Sequence, residues 1–463
     1  MLTYWSLPAC GLAVLLFLRL ARLGWTAGLG VALLVAPFAL VPALGCAVGA
    51  ALAWRQGIRP RPLAGAVAIG VDSRRRTVAI PLGGESGSHT LIVGATGSGK
   101  TVSETLIVRR AIESGLGAVI VDPKGDALLR EHAQAAAERA GRAFLEWTPS
   151  GPCTYNPYGH GSAGEIADKA LAGERFTEPH YLRQAQRYLA HAVRALQAAG
   201  EVATPARLVA LMDPRRLELL ARGVPDEAHA RAVFDYLDSL DARQRGGLSG
   251  TRDRLAILAE SEIGRWLEPA DRVPAIDLLD AVRARAVTYF RLESDRLPLL
   301  SRMLAAAVVG DLLTVAATCQ SAPVGTIVAI DEFSAIAPEG VARLFGRARS
   351  AGLSLLLATQ ELADLRAAAP ELLEQVLGNV EAVVAHRQSV PDSAELIARI
   401  AGTRPAWSST EQLTHAVPNG RSSRSRSREF AIHPDSVRTL ARGCAAVSVP
   451  SAGRCAVARI FHP

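Results

Sequence analysis

His89-Thr-Leu-Ile-Val-Gly-Ala-Thr-Gly-Ser-Gly-Lys-Thr101 is a short apolar strand that runs into a glycine-rich turn. Gly94-x-x-x-x-Gly99-Lys100-Thr101 fits the phosphate-binding P-loop. Gly94, Gly97 and Gly99 let the backbone turn so that successive N–H groups face one anion. Ala95, Thr96 and Ser98 complete the cradle. The helix expected from Lys100 to Ser114 turns its positive end to the same place. Lys100 is expected to reach the terminal phosphates, and the Thr101 hydroxyl to ligate Mg²⁺. The strand before and the helix after separate this motif from ordinary glycine turns in a chain with 40 glycines. The stretch predicts an α/β fold that binds ATP with Mg²⁺.

A second apolar strand, Thr326 to Ile330, runs into Asp331-Glu332. Two carboxylates at a strand end suit a Mg²⁺-dependent NTPase. Asp331 is expected to hold the metal, and Glu332 to polarise the attacking water. The alternative is that Asp331 caps the helix expected at Ser334. Ala118 to Val121 also ends in an acid, within Asp122-Pro-Lys124-Gly-Asp126. That makes Asp122 a rival metal holder, and Asp122 and Lys124 pocket residues of the second rank. Leu353 to Gln360 reads as a buried strand whose Thr359-Gln360 end sets a neutral amide beside the γ-phosphate. There it can sense ATP against ADP by hydrogen bonding. Arg347 and Arg349 are the first choices for an arginine finger acting on a neighbouring subunit, ahead of Arg387 and Arg399.

Composition bounds the rest. The 463 residues carry a formal charge of +7 and are 49% hydrophobic, which favours an anionic partner, nucleic acid or lipid. Lys100, Lys124 and Lys169 are the only lysines, against 48 arginines, and two of them fall in the motifs above. The six cysteines show no C-x-x-C spacing, which argues for reduced thiols and against a zinc site.

Met1 to Leu18 and Gly24 to Trp54 carry no charged side chain. About 20 apolar residues span a bilayer as a helix, so transmembrane segments are expected at about 2–18 and 27–53. Pro37 and Pro42 leave open a shallow hairpin in place of the second span. Arg55, Arg59 and Arg61 agree with a cytoplasmic body. Residues 60–154 read as the first part of the nucleotide-binding domain. Residues 155–285 read as an all-helical insertion, and 286–463 as the second part of the domain. Within the insertion, Gly246-Gly-Leu-Ser-Gly250 reads as a connector. Arg421 to Arg428 (R-S-S-R-S-R-S-R) reads as a flexible basic segment that can track phosphates, or equally as a solvated loop in an arginine-rich chain.

Together these motifs resemble the FtsK/HerA superfamily of ring-forming DNA-pumping ATPases. Within it the chain looks most like the type IV coupling proteins, the TraG/TraD-type ATPases of conjugative DNA transfer. The resemblance rests on the apolar N-terminal hairpin, Gly94 to Thr101, Val121 to Asp126, Ile330-Asp-Glu-Phe333 and Ala358-Thr-Gln360. It implies a RecA-like core and a hexameric ring whose pore carries DNA. It further implies an inner-membrane, multi-pass location with the ATPase domain in the cytoplasm. The implied partners are a relaxase or other type IV secretion substrates, and secretion-channel components. Two alternatives stay open: a secretion ATPase acting on protein, and a nucleotide-gated membrane receptor that hydrolyses little.

Overall fold

β1 (Ala66–Asp72) and β2 (Thr77–Pro81) flank the basic turn at Arg74–Arg76. β3 (Thr90–Val93) passes through the glycine loop into α1 (Lys100–Glu113), and β4 (Gly117–Asp122) leads to α2 (Ala127–Arg139). β5 (Phe144–Trp147) and the short β6 (Thr154–Tyr155) come before a run of helices. These are α3 (Ala163–Leu171), α4 (Pro179–Ala198), α5 (Pro205–Leu211), α6 (Pro214–Arg222), α7 (Glu227–Asp238) and α8 (Ala242–Ala259). β7 (Ala275–Ile276) and α9 (Leu278–Arg283) return the chain to β8 (Val287–Arg291). Next come α10 (Pro298–Cys319), β9 (Thr326–Ile330), α11 (Phe333–Ile336), α12 (Pro338–Ala348) and β10 (Leu353–Thr359). α13 (Leu362–Ala368), α14 (Leu372–Asn379), β11 (Ala382–Ala385) and α15 (Pro391–Ala401) lead to the ribbon β12 (Thr403–Thr414) and β13 (Val417–Phe430). α16 (Pro434–Arg438), β14 (Cys444–Val449) and β15 (Arg454–Ile460) follow. The structure, a computed structural model, describes residues 65–463 except 85, 174–177 and 415–416, with the backbone alone over 408–423. The expected membrane segments lie outside the described residues.

Eleven strands form one sheet in the order β2-β1-β15-β14-β11-β3-β10-β9-β4-β8-β5. The block from β11 to β5 is parallel, while β14, β15 and β1 pair antiparallel at its side. β3, β4, β9, β10 and β11 are buried along their whole length. That is why each reads as an unbroken apolar run and not as an alternation. α1 and α2 cover one face through Leu106, Ile107, Ile112 and Leu129. α10, α12, α14 and α15 cover the other through Val308, Leu312, Leu344, Val376 and Ile397. The result is a RecA-like P-loop NTPase core. The order matters for chemistry: β10 lies between β3 and β9, so its end falls between the glycine loop and Asp331-Glu332.

Helices α3 to α8 have a core of their own, built on Tyr188, Leu189, Val193, Leu208, Leu217, Val233 and Leu255. β6 and β7 pair in parallel where the chain leaves and re-enters the sheet domain. α10 is the one helix among the described residues long and apolar enough to cross a membrane. It is a core helix, with Met303, Leu304, Val308, Val309, Leu312 and Val315 buried.

Two expectations are corrected. Gly246 to Gly250 is no connector; it lies inside α8. Asp241 and Gln244 start that helix with a capping box, and Leu248, Thr251, Leu255 and Leu258 bury one side of it. Their burial outweighs a cost of roughly 1 kcal/mol per helical glycine. Arg421 to Arg428 is no loose loop; it is part of β13, and Ser422 to Arg428 pair with β12 beyond a register shift that takes in Arg421.

Candidate active site

The glycine loop closes where β3 ends. Gly97 and Gly99 sit at φ 75° and 110°, a region that side chains avoid. A Cβ on Gly94 would lie 2.6 Å from Ser98 Oγ and 2.8 Å from His386 Cβ, so the loop is also packed too tightly there for any other residue. No side chain caps α1. Its first-turn N–H groups are therefore free to meet an anion. Ser98 Oγ is buried with no hydrogen-bond partner among the described residues. These features fit a phosphate.

Around the loop, four strand ends deliver charge. Lys100 Nζ donates to Asp331 Oδ1, and to Glu332 Oε1 at 3.2 Å. Glu332 Oε1 also accepts from Lys124 Nζ at 3.0 Å and from Gln360 Nε2 at 3.0 Å. Gln360 Oε1 in turn accepts from Thr96 Oγ1 at 3.3 Å. So Gln360 bridges the glycine loop to Glu332. Asp331 does not cap the helix behind it. Its Oδ1 accepts from the Glu332 N–H at 3.0 Å, and α11 has no side-chain cap. Glu332 itself sits at φ 48°, an uncommon conformation for a side-chain-bearing residue and one that collects at functional sites.

Charge states follow from these contacts. Burial alone would depress the Lys100 ammonium, but Asp331, Glu104 and Glu332 outweigh it and hold its pKa above the usual lysine value. Burial would raise Glu332, but Lys100, Lys124 and Gln360 hold it below the usual carboxylate value, so it is ionised at neutral pH. Burial pushes Asp331 up against the pull of Lys100. The shared proton demand of this pair marks Lys100–Asp331 as a contact that a second anion or a cation can reorganise.

Asp122 is engaged otherwise. Its carboxylate accepts from the N–H groups of Lys124 (2.9 Å), Gly125 (2.8 Å) and Asp126 (2.6 Å), and from the Tyr289 hydroxyl. It organises the turn that aims Lys124 at Glu332. Arg347 and Arg349 are not brought to this site within one chain. They precede β10, at the end of that strand away from Gln360, and seven strand residues rise about 23 Å. Arg349 pairs with Glu381 at 3.1 Å. Arg387 comes nearest through its backbone, whose carbonyl accepts from Ala95 N–H at 3.2 Å. Thr101 is half-buried in the first turn of α1.

Sequence reasoning missed four neighbours. Glu104 is 1% exposed, with both carboxylate oxygens lacking a hydrogen-bond partner among the described residues. Ser103 Oγ and His386 Nε2 are 2.8 Å apart, and His386 Nδ1 is 3.1 Å from the Cys444 carbonyl. The carbonyl can only accept, so Nδ1 carries the proton and Ser103 donates to Nε2. Tyr289 fixes Asp122. The available signals were the four-residue spacing of Lys100 and Glu104 along one helix, and a histidine ending the apolar run of β11.

A metal cage is not needed. Among the described residues no cluster of three His, Cys, Asp or Glu can hold a metal. Mg²⁺ characteristically uses one or two protein oxygens with substrate phosphates and water. Thr101 and Asp331 suit that role.

The chain is similar to several known proteins in sequence and in fold. Residues 326–442 match the family described as the TraM recognition site of TraD and TraG. Residues 70–135 match the central domain of the helicase HerA. No curated protein matches. Among solved structures, the bacterial conjugative coupling protein TrwBdeltaN70 superposes with a TM-score of 0.62 at 17% identity, over 87% of this chain and 89% of that one. TrwB in complex with ADP and Mg²⁺ gives 0.59 at 17% identity, over 81% and 86%. VirB4 of Thermoanaerobacter pseudethanolicus gives 0.58 at 13% identity, over 87% and 98%. The resemblance to type IV coupling proteins therefore holds in residues 326–442 and in the fold, and residues 70–135 resemble HerA.

Proposed function

We propose that this chain is a type IV coupling protein: a membrane-anchored ATPase that delivers DNA, or a relaxase–DNA complex, to a type IV secretion channel. The observation that carries the reading is the convergence of Lys100, Asp331, Glu332 and Gln360 on one glycine loop. The match to a TraD and TraG region and the TrwB-like fold supply the transfer context.

The chemistry is ATP hydrolysis. The loop from Gly94 to Thr101 cradles the phosphates, and Lys100 leaves Asp331 to meet them. Thr101 and Asp331 are the residues that would hold Mg²⁺, which would supply charge neutralisation at the phosphate oxygens. Glu332, ionised and held by Lys124, takes the proton of the attacking water. Gln360 links Glu332 to Thr96, so loss of the γ-phosphate is felt at the end of β10. Arg347 and Arg349 lie too far from their own site and act, in a hexameric ring, on the next subunit. The apolar N-terminal runs anchor the ring in the inner membrane.

The test uses the full chain in detergent or nanodiscs. ATP turnover is measured alone and with single- or double-stranded DNA. DNA is expected to stimulate turnover. Glu332→Gln is expected to lower it about 10²–10⁴-fold while nucleotide still binds. Turnover indifferent to both kinds of DNA would favour a protein substrate instead. Intact transfer by Glu332→Gln would favour the receptor reading.

A further inference from the structure

β12 and β13 pair antiparallel with Thr403 opposite Phe430, Pro405 opposite Arg428, Trp407 opposite Arg426 and Ser409 opposite Arg424. Opposed residues share a face and successive residues alternate. One face therefore carries Trp407 among Arg424, Arg426 and Arg428. The other carries Arg404 with Glu429, and Ala406 with Ser427. Trp407 is 70% exposed, and the three arginines are exposed. Glu429 is the only acid in 403–407 and 424–430, and it lies on the opposite face. Arg428 is steadied by Thr403, whose Oγ1 accepts from Nε at 2.8 Å and whose carbonyl accepts from the guanidinium at 3.2 Å.

We propose that this face of the ribbon binds single-stranded nucleic acid, with Trp407 stacking on a base and Arg424, Arg426 and Arg428 holding the backbone. This rests on the coupling-protein reading and says which element grips the strand. Spacing supports it. Residues two apart on a strand lie about 6.8 Å apart. Such a regular row of guanidiniums along an extended ribbon can follow successive phosphates of an extended, unpaired strand. An indole held open among guanidiniums offers the one thing phosphate contacts lack, a π-face for an unpaired base. A bilayer-seeking surface would set further apolar side chains beside the tryptophan. Here its companions on the face are arginines, Pro405 and Thr403, and the one further aromatic, Phe430 opposite Thr403, is half-buried against His433.

The experiment measures anisotropy of a fluorescein-labelled oligothymidylate with the full chain across a salt series. A blunt duplex of equal length and phosphatidylglycerol vesicles run in parallel. Trp407→Ala is expected to weaken oligothymidylate binding roughly 5- to 150-fold, and Trp407→Phe far less. Replacing Arg424, Arg426 and Arg428 together by Gln is expected to flatten the slope of log K against log salt by about 2. DNA-free ATP turnover should be unchanged in every variant, which shows that they are folded. Variants that bind oligothymidylate like the wild type would overturn the proposal, while DNA-stimulated turnover would keep the coupling-protein reading alive. Loss of vesicle binding alone would assign the face to lipid and equally overturn it. A wild type that neither binds DNA nor responds to it would sink both readings together.

Discussion

Lys100 and Lys169 each sit buried against an aspartate, yet the two pairs are built for opposite ends. Lys169 and Asp311 are each 2% exposed. The ammonium donates to Asp311 at 2.7 Å, to the His160 carbonyl at 2.5 Å and to the Pro157 carbonyl at 3.3 Å, which uses all three protons. Asp311 also accepts from Tyr155 at 3.0 Å. A Cβ on Gly310 would come within 3.1 Å of the lysine stem. This network ties α3 of the helical region to α10 of the sheet domain. At the glycine loop, Lys100 meets two carboxylates with a third, Glu104, close by. Among the described residues no backbone carbonyl accepts from its ammonium. A closed network fixes structure; an over-subscribed one, short of neutral acceptors, is prepared for a substrate.

That contrast predicts unlike consequences for the same deletion. Lys169→Met leaves Asp311 buried without its cation and is expected to cost about 3–5 kcal/mol of stability. Unfolding of the full chain, followed by circular dichroism, measures it. Lys169→Met with Asp311→Leu should recover most of the loss, because a buried pair is often replaceable by apolar residues. A single variant as stable as the wild type would end the comparison. Lys100→Ala should instead spare the fold and lower turnover about 10²–10³-fold, or about 2.7–4 kcal/mol. Wild type should also melt at higher temperature in saturating ATP and Mg²⁺, and Lys100→Ala should not. Equal shifts for both proteins would show that Lys100 does not hold phosphate.

The sites differ as much in how they were written into the sequence. The nucleotide end was legible because buried parallel strands cannot alternate, and each ends at a glycine or a polar residue. Thus β3, β4, β9 and β10 announced Gly94, Asp122, Asp331 and Gln360 in advance. Strand order was not legible. Nothing local says that β10 inserts between β3 and β9, although Gln360 meets Glu332 only because it does. Lys169 was invisible as a structural tie, since its partners lie 9, 12 and 142 residues away. The glycines of α8 misled because tertiary burial of Leu248 and Leu255 overrides local propensity. The arginines of β13 misled because serine and arginine in alternation suit a solvated strand as well as a loop.

Protonation offers a finer separation of the two regions. Burial pushes His386, behind the glycine loop, down to about 4, despite the Cys444 carbonyl, and Lys100 adds to the effect. Burial also carries His89 to about 4, with Arg349 adding to it. The folded state then binds these protons less well than the unfolded one, whose histidines titrate near 6.5. Their contribution is complete above pH 6.5 and is lost as pH falls toward 4, by up to about 3 kcal/mol for each ring. Burial lowers His191 to about 4 as well, so His386→Gln should remove about a third of the slope that the three rings give to stability against pH in that window. An unaltered slope would mean that His386 takes up its proton inside the fold.

The smallest expected effect is the most telling about the active site. Glu104 is fully buried, and burial pushes its carboxyl well above the usual range. Asp331, Asp122 and Asp126 push the same way, and Lys100 alone opposes them. That direction favours the protonated carboxyl, and a neutral Glu104 leaves Lys100 to balance Asp331 and Glu332 without a third negative charge. Glu104→Gln exchanges one neutral planar group for another of nearly equal volume. It should move stability by less than about 1.5 kcal/mol and leave the pH profile of ATP turnover in place. Glu104→Ala, which opens a cavity, should cost more. Were Glu104 ionised, the amide would lift a buried like-charge repulsion beside Asp331, and the protein would gain stability as the pH profile shifted. That outcome would make the Lys100 cluster a strained store of charge, where the neutral reading makes it a balanced pair waiting for a third partner.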